Sequence, residues 1–130
     1  MRRVRSLVIV FAVLALAGAA QAARQATALE VQWMSQSVQS PFRQSKAWAR
    51  ISTRDAHWGV VFIRSCATAC APVRPGAVFL LHRRSLSLHD WIGSLVASAR
   101  LRPANHAQIR RVCAAAPAAV QRDLLAALCG

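Results

Sequence analysis

Apolar and polar positions change their spacing several times along this chain, and each change marks an element. Leu7 to Ala20 is an unbroken apolar run of 14 residues behind Arg2, Arg3 and Arg5, and it closes on Ala20-Gln21-Ala22. A basic start, a short apolar core and a small-x-small end predict a signal peptide over residues 1–22, cut after Ala22. A membrane-spanning helix needs about 20 apolar residues, more than this run supplies. Residues 23–27 read as a loose leader. Leu29, Val31 and Trp33 then alternate with Glu30 and Gln32, the period of a half-buried strand. Residues 35–45, polar and holding Ser40-Pro41, read as a loop. Ala47, Ala49 and Ile51 alternate with Arg50 and Ser52, a second strand, and Arg54-Asp55-Ala56-His57 makes a turn. Residues 58–63 and 77–81 are apolar on both faces, as central strands are.

The last third changes to a period near 3.6. Leu88, Trp91, Ile92, Leu95, Val96 and Ala99 form a helical stripe. Ser87 and Asp90 approximate a capping box before it, and Arg100 to Pro103 end it. Asn105 with Gln108 starts a second helix carrying Ile109, Val112 and Cys113. Pro117 starts a last one carrying Val120, Leu124, Leu125 and Leu128, with Gly130 as its stop. Strands first and helices afterwards predict an α+β fold. It has a small antiparallel sheet of three to four strands, followed by two to three C-terminal helices on one face. Residues 23–130 suffice for a single small exported domain.

Charge sharpens this picture. The chain has 17 Lys and Arg against 4 Asp and Glu, a net +13. Removing Arg2, Arg3 and Arg5 with the leader leaves +10. Lysine occurs only at position 46 and the other sixteen cations are arginine. Such a balance suits anionic partners: phospholipid headgroups, lipopolysaccharide or acidic polymers. Arginine and alanine rising together is also what GC-rich coding produces. The cations are dispersed, adjacent only at 83–84 and 110–111 after the leader, so no dense polyanion tract of the nucleic-acid kind is present.

Cys66, Cys70, Cys113 and Cys129 all follow the leader. An even count in an exported chain reads as two disulfides, with three possible pairings. The pair 66–70 closes a short loop by itself and leaves 113–129. Against that, 117–128 as one straight helix is about 18 Å long, whereas bridged Cα atoms lie about 4.4–6.8 Å apart. Both crossed pairings stay open on those grounds.

Candidate chemistry is sparse. Arg64-Ser65-Cys66-Ala67-Thr68-Ala69-Cys70-Ala71-Pro72 directly follows a buried strand. Two cysteines at a strand end resemble thioredoxin-like proteins, and the three-residue spacing resembles their copper-chaperone branch. The resemblance covers about fifteen residues and implies thiol–disulfide or copper handling by Cys66 and Cys70, with Arg64 lowering a thiol pKa. Pro72 and Pro75-Gly76 interrupt the helix which that family places next. A structural disulfide is the reading we favour. His57, His82, His89 and His106 share no H-x-x-x-H spacing, and no metal or cofactor is expected. The mature carboxylates Glu30, Asp55, Asp90 and Asp123 are scattered, with no G-x-S-x-G elbow and no phosphate loop, so no catalytic residue is assigned. Trp33, Trp58 and Trp91 fall on core faces. Trp48 shares a strand face with Arg50 and Ser52, and with Lys46 and Arg54 these form the candidate patch for an anionic partner: Lys46, Trp48, Arg50 and Arg54. The sequence thus predicts a non-catalytic, disulfide-stabilised accessory or binding protein of the periplasm or exterior. Its partner is an anionic envelope component or a protein; the alternative is the thiol or copper reading.

Overall fold

The computed structural model describes residues 23–38, 45–65 and 76–130. The signal peptide expected over residues 1–22, Cys66 and Cys70 lie outside the described residues, and so does the cysteine-loop chemistry expected of that pair.

The fold begins where a loose leader was expected. Arg24–Gln25 form a short strand, β1, paired antiparallel with residues 50–51. The next segment corrects a second expectation: Ala28–Gln36 is a helix, α1, and not a strand. Thr27 decides it. Its side chain accepts the Glu30 N–H at 3.2 Å, while the Glu30 carboxylate accepts the Thr27 N–H at 3.0 Å. That reciprocal cap satisfies two donors that a helix start otherwise leaves orphaned, and it outweighs a five-residue alternation. Leu29, expected inside, is half exposed, whereas Met34 is fully buried.

The rest of the sheet is an antiparallel meander: β2 (Ser45–Ile51), β3 (Trp58–Ser65), β4 (Ala77–His82) and β5 (Leu95–Arg100), in spatial order β1-β2-β3-β4-β5. Among the described residues five strands stand where three to four were expected. Helices cover both faces and not one. The first face joins Trp58, Val60, Val78, Leu80 and Ala99 to Val112, Ala116, Val120, Leu124 and Leu125 of the C-terminal helices. The second joins Ala49, Ile51, Val61, Ile63 and Leu81 to Met34, Val38 and Trp91. A run apolar on both faces, such as residues 58–63, is what a strand between two cores requires. Gly59 permits the close seating of α1 and Trp91 on β3: a Cβ there would lie 2.6 Å from Met34 Cε and 3.0 Å from Trp91 Cη2.

The third correction is the largest. Residues 88–99 are not a helix. Leu88–Trp91 make a single 3-10 turn, Gly93 follows at φ 71°, and the chain then runs as β5. The Ser87 side chain makes no cap bond; Ser85 Oγ–H donates to Asp90 instead. A left-handed Gly93 breaks a helix as it begins, and the β-branched Val96 suits a strand. The stripe therefore divides. Trp91 and Ala99 are buried, while Ile92, Leu95 and Val96 are about half exposed, so Leu95 is no core residue.

The C-terminal helices follow the sequence more closely. α2 (His106–Ala115) starts at Asn105, whose side chain accepts the Gln108 N–H at 3.1 Å. α3 (Ala118–Leu124) and α4 (Ala126–Cys129) complete the chain. Backbone breaks at Ala116 (φ −94°, ψ 140°) and Leu125 (φ −121°, ψ 17°) fold the segment back on itself. Cys113 and Cys129 therefore meet as a disulfide with Cα atoms 5.8 Å apart, which removes both crossed pairings. No described helix is long and apolar enough to cross a membrane.

Candidate functional site

Antiparallel pairing of β2 with β3 sets Lys46 opposite Arg64, Trp48 opposite Phe62 and Arg50 opposite Val60. Trp48 and Phe62 are stacked, ring centroids 5.8 Å apart at 23°, and both are half-buried. They lie on the same sheet face as the C-terminal helices, since Phe62 packs against that core. Arg50 is exposed, and its guanidinium donates to the Ala23 carbonyl at 2.8 Å, which fixes the chain entering β1. Lys46, Trp48 and Arg50 thus occupy alternate positions of one strand, as the alternation implied.

Arg54 sits in the following turn, where its N–H donates to Ser52 Oγ at 3.1 Å and to Asp123 Oδ2 at 3.3 Å. Asp123 also accepts from Ser52 Oγ–H at 3.0 Å and the Thr53 N–H at 2.9 Å, tying α3 to the β2–β3 turn. The sequence treats Asp123 as one dispersed carboxylate, and this role as a clamp is not legible there. Phe62 and Arg64 were missed as patch residues because they join it only through strand pairing. The signal was present in the short turn at residues 54–57, which fixes which β3 residues face β2.

All four carboxylates of the chain have partners inside the fold. Arg24 grips Glu30 with two guanidinium bonds of 2.8 Å. That arginine, with help from the Thr27 N–H, holds the Glu30 carboxyl down at about 2. Asp55 meets His57 Nδ1 at 2.8 Å, which keeps its carboxyl below the usual range. Asp90 is lowered by its bond from Ser85, with His89 3.3 Å away. Glu30 and the three aspartates therefore serve the fold.

Two other arrangements deserve placing. His82 is exposed and stacks on Trp58 at 4.3 Å, with the His57 ring 6.3 Å away. Among the described residues no three His, Cys, Asp or Glu side chains gather as a metal site. Arg83 is buried at 5% exposure, and its guanidinium donates to the Ala56 carbonyl at 2.9 and 3.1 Å and to Leu86 O at 3.3 Å. It also covers the Trp91 ring at 4.1 Å. Burial lowers its pKa from the ordinary arginine value. Arg83 therefore locks the β4–β5 connection, while the adjacent Arg84 faces solvent. No protein family, curated protein or solved structure matches the chain.

Proposed function

We propose that this chain is an exported, disulfide-stabilised accessory or binding protein, non-catalytic, that engages an anionic envelope component through the β2–β3 patch. The observation carrying this reading is the stacked, partly exposed pair of Trp48 and Phe62 on neighbouring strands, with the exposed Arg50 at the next alternate position of β2. An aromatic pair held half-open beside guanidinium groups offers an apolar surface next to cations, which suits sugar rings or acyl-linked phosphates. The leader over residues 1–22 and the bridged Cys113 and Cys129 support the periplasm or exterior as its place.

Binding to immobilised heparin, as a stand-in acidic polymer, tests the reading. Retention is expected to fall steeply with salt. Arg50→Glu is expected to weaken it roughly tenfold more than Arg122→Glu, an equal charge change at an exposed position of α3. Equal effects from the two reversals contradict a site and leave only diffuse charge.

A further inference from the structure

The β5 edge carries a second surface of different chemistry. Leu95 pairs with Leu81 and Ala97 with Leu80, so Val96 is the additional residue of a β-bulge. The bulge breaks the alternation of the strand, and two consecutive apolar side chains, Leu95 at 45% and Val96 at 47%, are exposed together. Ile92, three residues earlier, is exposed at 51%. Single exposed apolar residues are ordinary, but three within five residues along one sheet edge form a continuous feature.

Cations border it. Arg100 shares the strand parity of Val96 and is exposed, as are Arg102 in the next turn and Arg84, which lines a cleft with Ile92, Gly93 and Ser94. No acidic residue occurs between Asp90 and Asp123. Asp90, in the same cleft, is already bonded to Ser85 and close to His89.

The main chain limits how this edge can be covered. His82 N–H donates to Ser94 O and Leu101 N–H to Gly76 O, each at 2.9 Å, so Ala97, Ala99 and Leu101 face β4. Ser98 and Arg100 consequently direct their N–H and C=O groups outward. At Arg100 both are satisfied, by Gln108 Oε1 and the Asn105 N–H, each at 2.9 Å. The regular open edge is therefore confined to Ser98 and the bulge beside it, too short to template a long added strand. A second copy would bring the same arginines to a shared seam, where like charges repel. An anionic bilayer instead supplies hydrocarbon for three apolar side chains, phosphates for the arginines and interfacial water for the open main chain.

We propose that the β5 edge docks on an anionic phospholipid bilayer, with Ile92, Leu95 and Val96 entering the headgroup–acyl boundary and Arg100 and Arg102 meeting headgroup phosphates. Entry is shallow, because hydrated peptide groups do not pass into hydrocarbon. This surface lies three strand spacings from β2, on the order of 14 Å across the sheet, and acts independently of the β2–β3 patch.

Sedimentation of residues 23–130, which contain both cores, with phosphatidylglycerol-rich vesicles tests it. The parent is expected to partition to these and not to pure phosphatidylcholine. Leu95→Gln with Val96→Gln is expected to weaken partitioning roughly tenfold without altering heparin retention. Ile92→Gln gives a second reading, smaller in the same direction, should the double variant melt early. Trp48→Ala with Arg50→Gln is expected to do the reverse, lowering heparin retention and sparing vesicles. Vesicle binding that survives all the β5 changes overturns the proposal. So does a parent that ignores anionic vesicles, or one that is captured only by an acidic protein. Loss of vesicle binding through Trp48 and Arg50 alone transfers lipid contact to the β2–β3 patch and sinks the β5 surface.

Discussion

The two edges of the sheet are finished in different ways. On the β2 side, β1 straps the strand, Ala26 N–H donates to Ala49 O at 2.9 Å, and the Arg24–Glu30 pair holds the strap to α1. On the β5 side, Asn105 and Gln108 close the Arg100 end, and Leu95 and Val96 are left in solvent. Edge strands that meet only water are normally short, charged or covered. The difference separates stability from contact at the edges: substitutions in the β1 strap, at Arg24 or Glu30, are felt by the fold, and those at the exposed end of β5 are felt only by whatever it touches.

The sharpest contrast lies within a few residues of one segment. Trp91 is fully buried between α1 and β3, so Trp91→Ala is expected to cost about 3–5 kcal/mol in chemical denaturation. A mild effect there would erase the division between the inner and outer halves of residues 88–99. The closed end of β5 depends on α2, which the Cys113–Cys129 bridge holds against the chain terminus. Cys113→Ser with Cys129→Ser is expected to cost about 2–4 kcal/mol. It should also raise hydrogen exchange at the Arg100 amide, whose acceptor is a side chain of α2.

Next in size is the strap. Glu30 titrates at about 2 in the fold against 4.5 for a free carboxyl. Its contribution is therefore complete above pH 4.5 and is lost as pH falls toward 2. Because Arg24 is half exposed, Glu30→Gln is expected to cost only about 1–2 kcal/mol at neutral pH. The variant should also flatten the stability profile between pH 4.5 and 2; an unchanged acid limb would remove the ion pair from the account. The smallest expected effect belongs to the exposed edge: Leu95→Gln with Val96→Gln should change stability by no more than about 0.5 kcal/mol. A large loss would return Leu95 to the core, where its helical spacing had placed it.

The strands β2, β3 and β4 were legible because each obeys one rule: alternation where one face is open, continuous apolarity where both are covered. α1 obeyed two rules at once. Its alternation over Leu29 to Trp33 points to a strand, but the hydrogen bonds that Thr27 and Glu30 exchange at the cap prevail. Residues 88–99 misled for the opposite reason. Six apolar residues at helical spacing are also compatible with a buried Trp91, a glycine turn and an exposed strand, and the spacing carries no information about which of them meets solvent. At the site, Trp48 and Arg50 could be read from alternation. Phe62 and Arg64 required the pairing of β2 with β3. The burial of Arg83 was invisible, because its carbonyl partner Ala56 is 27 residues away.

The central claim is that the β2–β3 patch, and not diffuse charge, meets the anionic partner. The four tryptophan indole N–H signals of residues 23–130, followed by nuclear magnetic resonance during a titration with heparin oligosaccharide, address it residue by residue. Trp48 is half-buried and Trp91 is fully buried. The expected result is a saturable shift of the Trp48 signal, with Trp91 unmoved. Binding that leaves Trp48 unmoved would contradict the assignment.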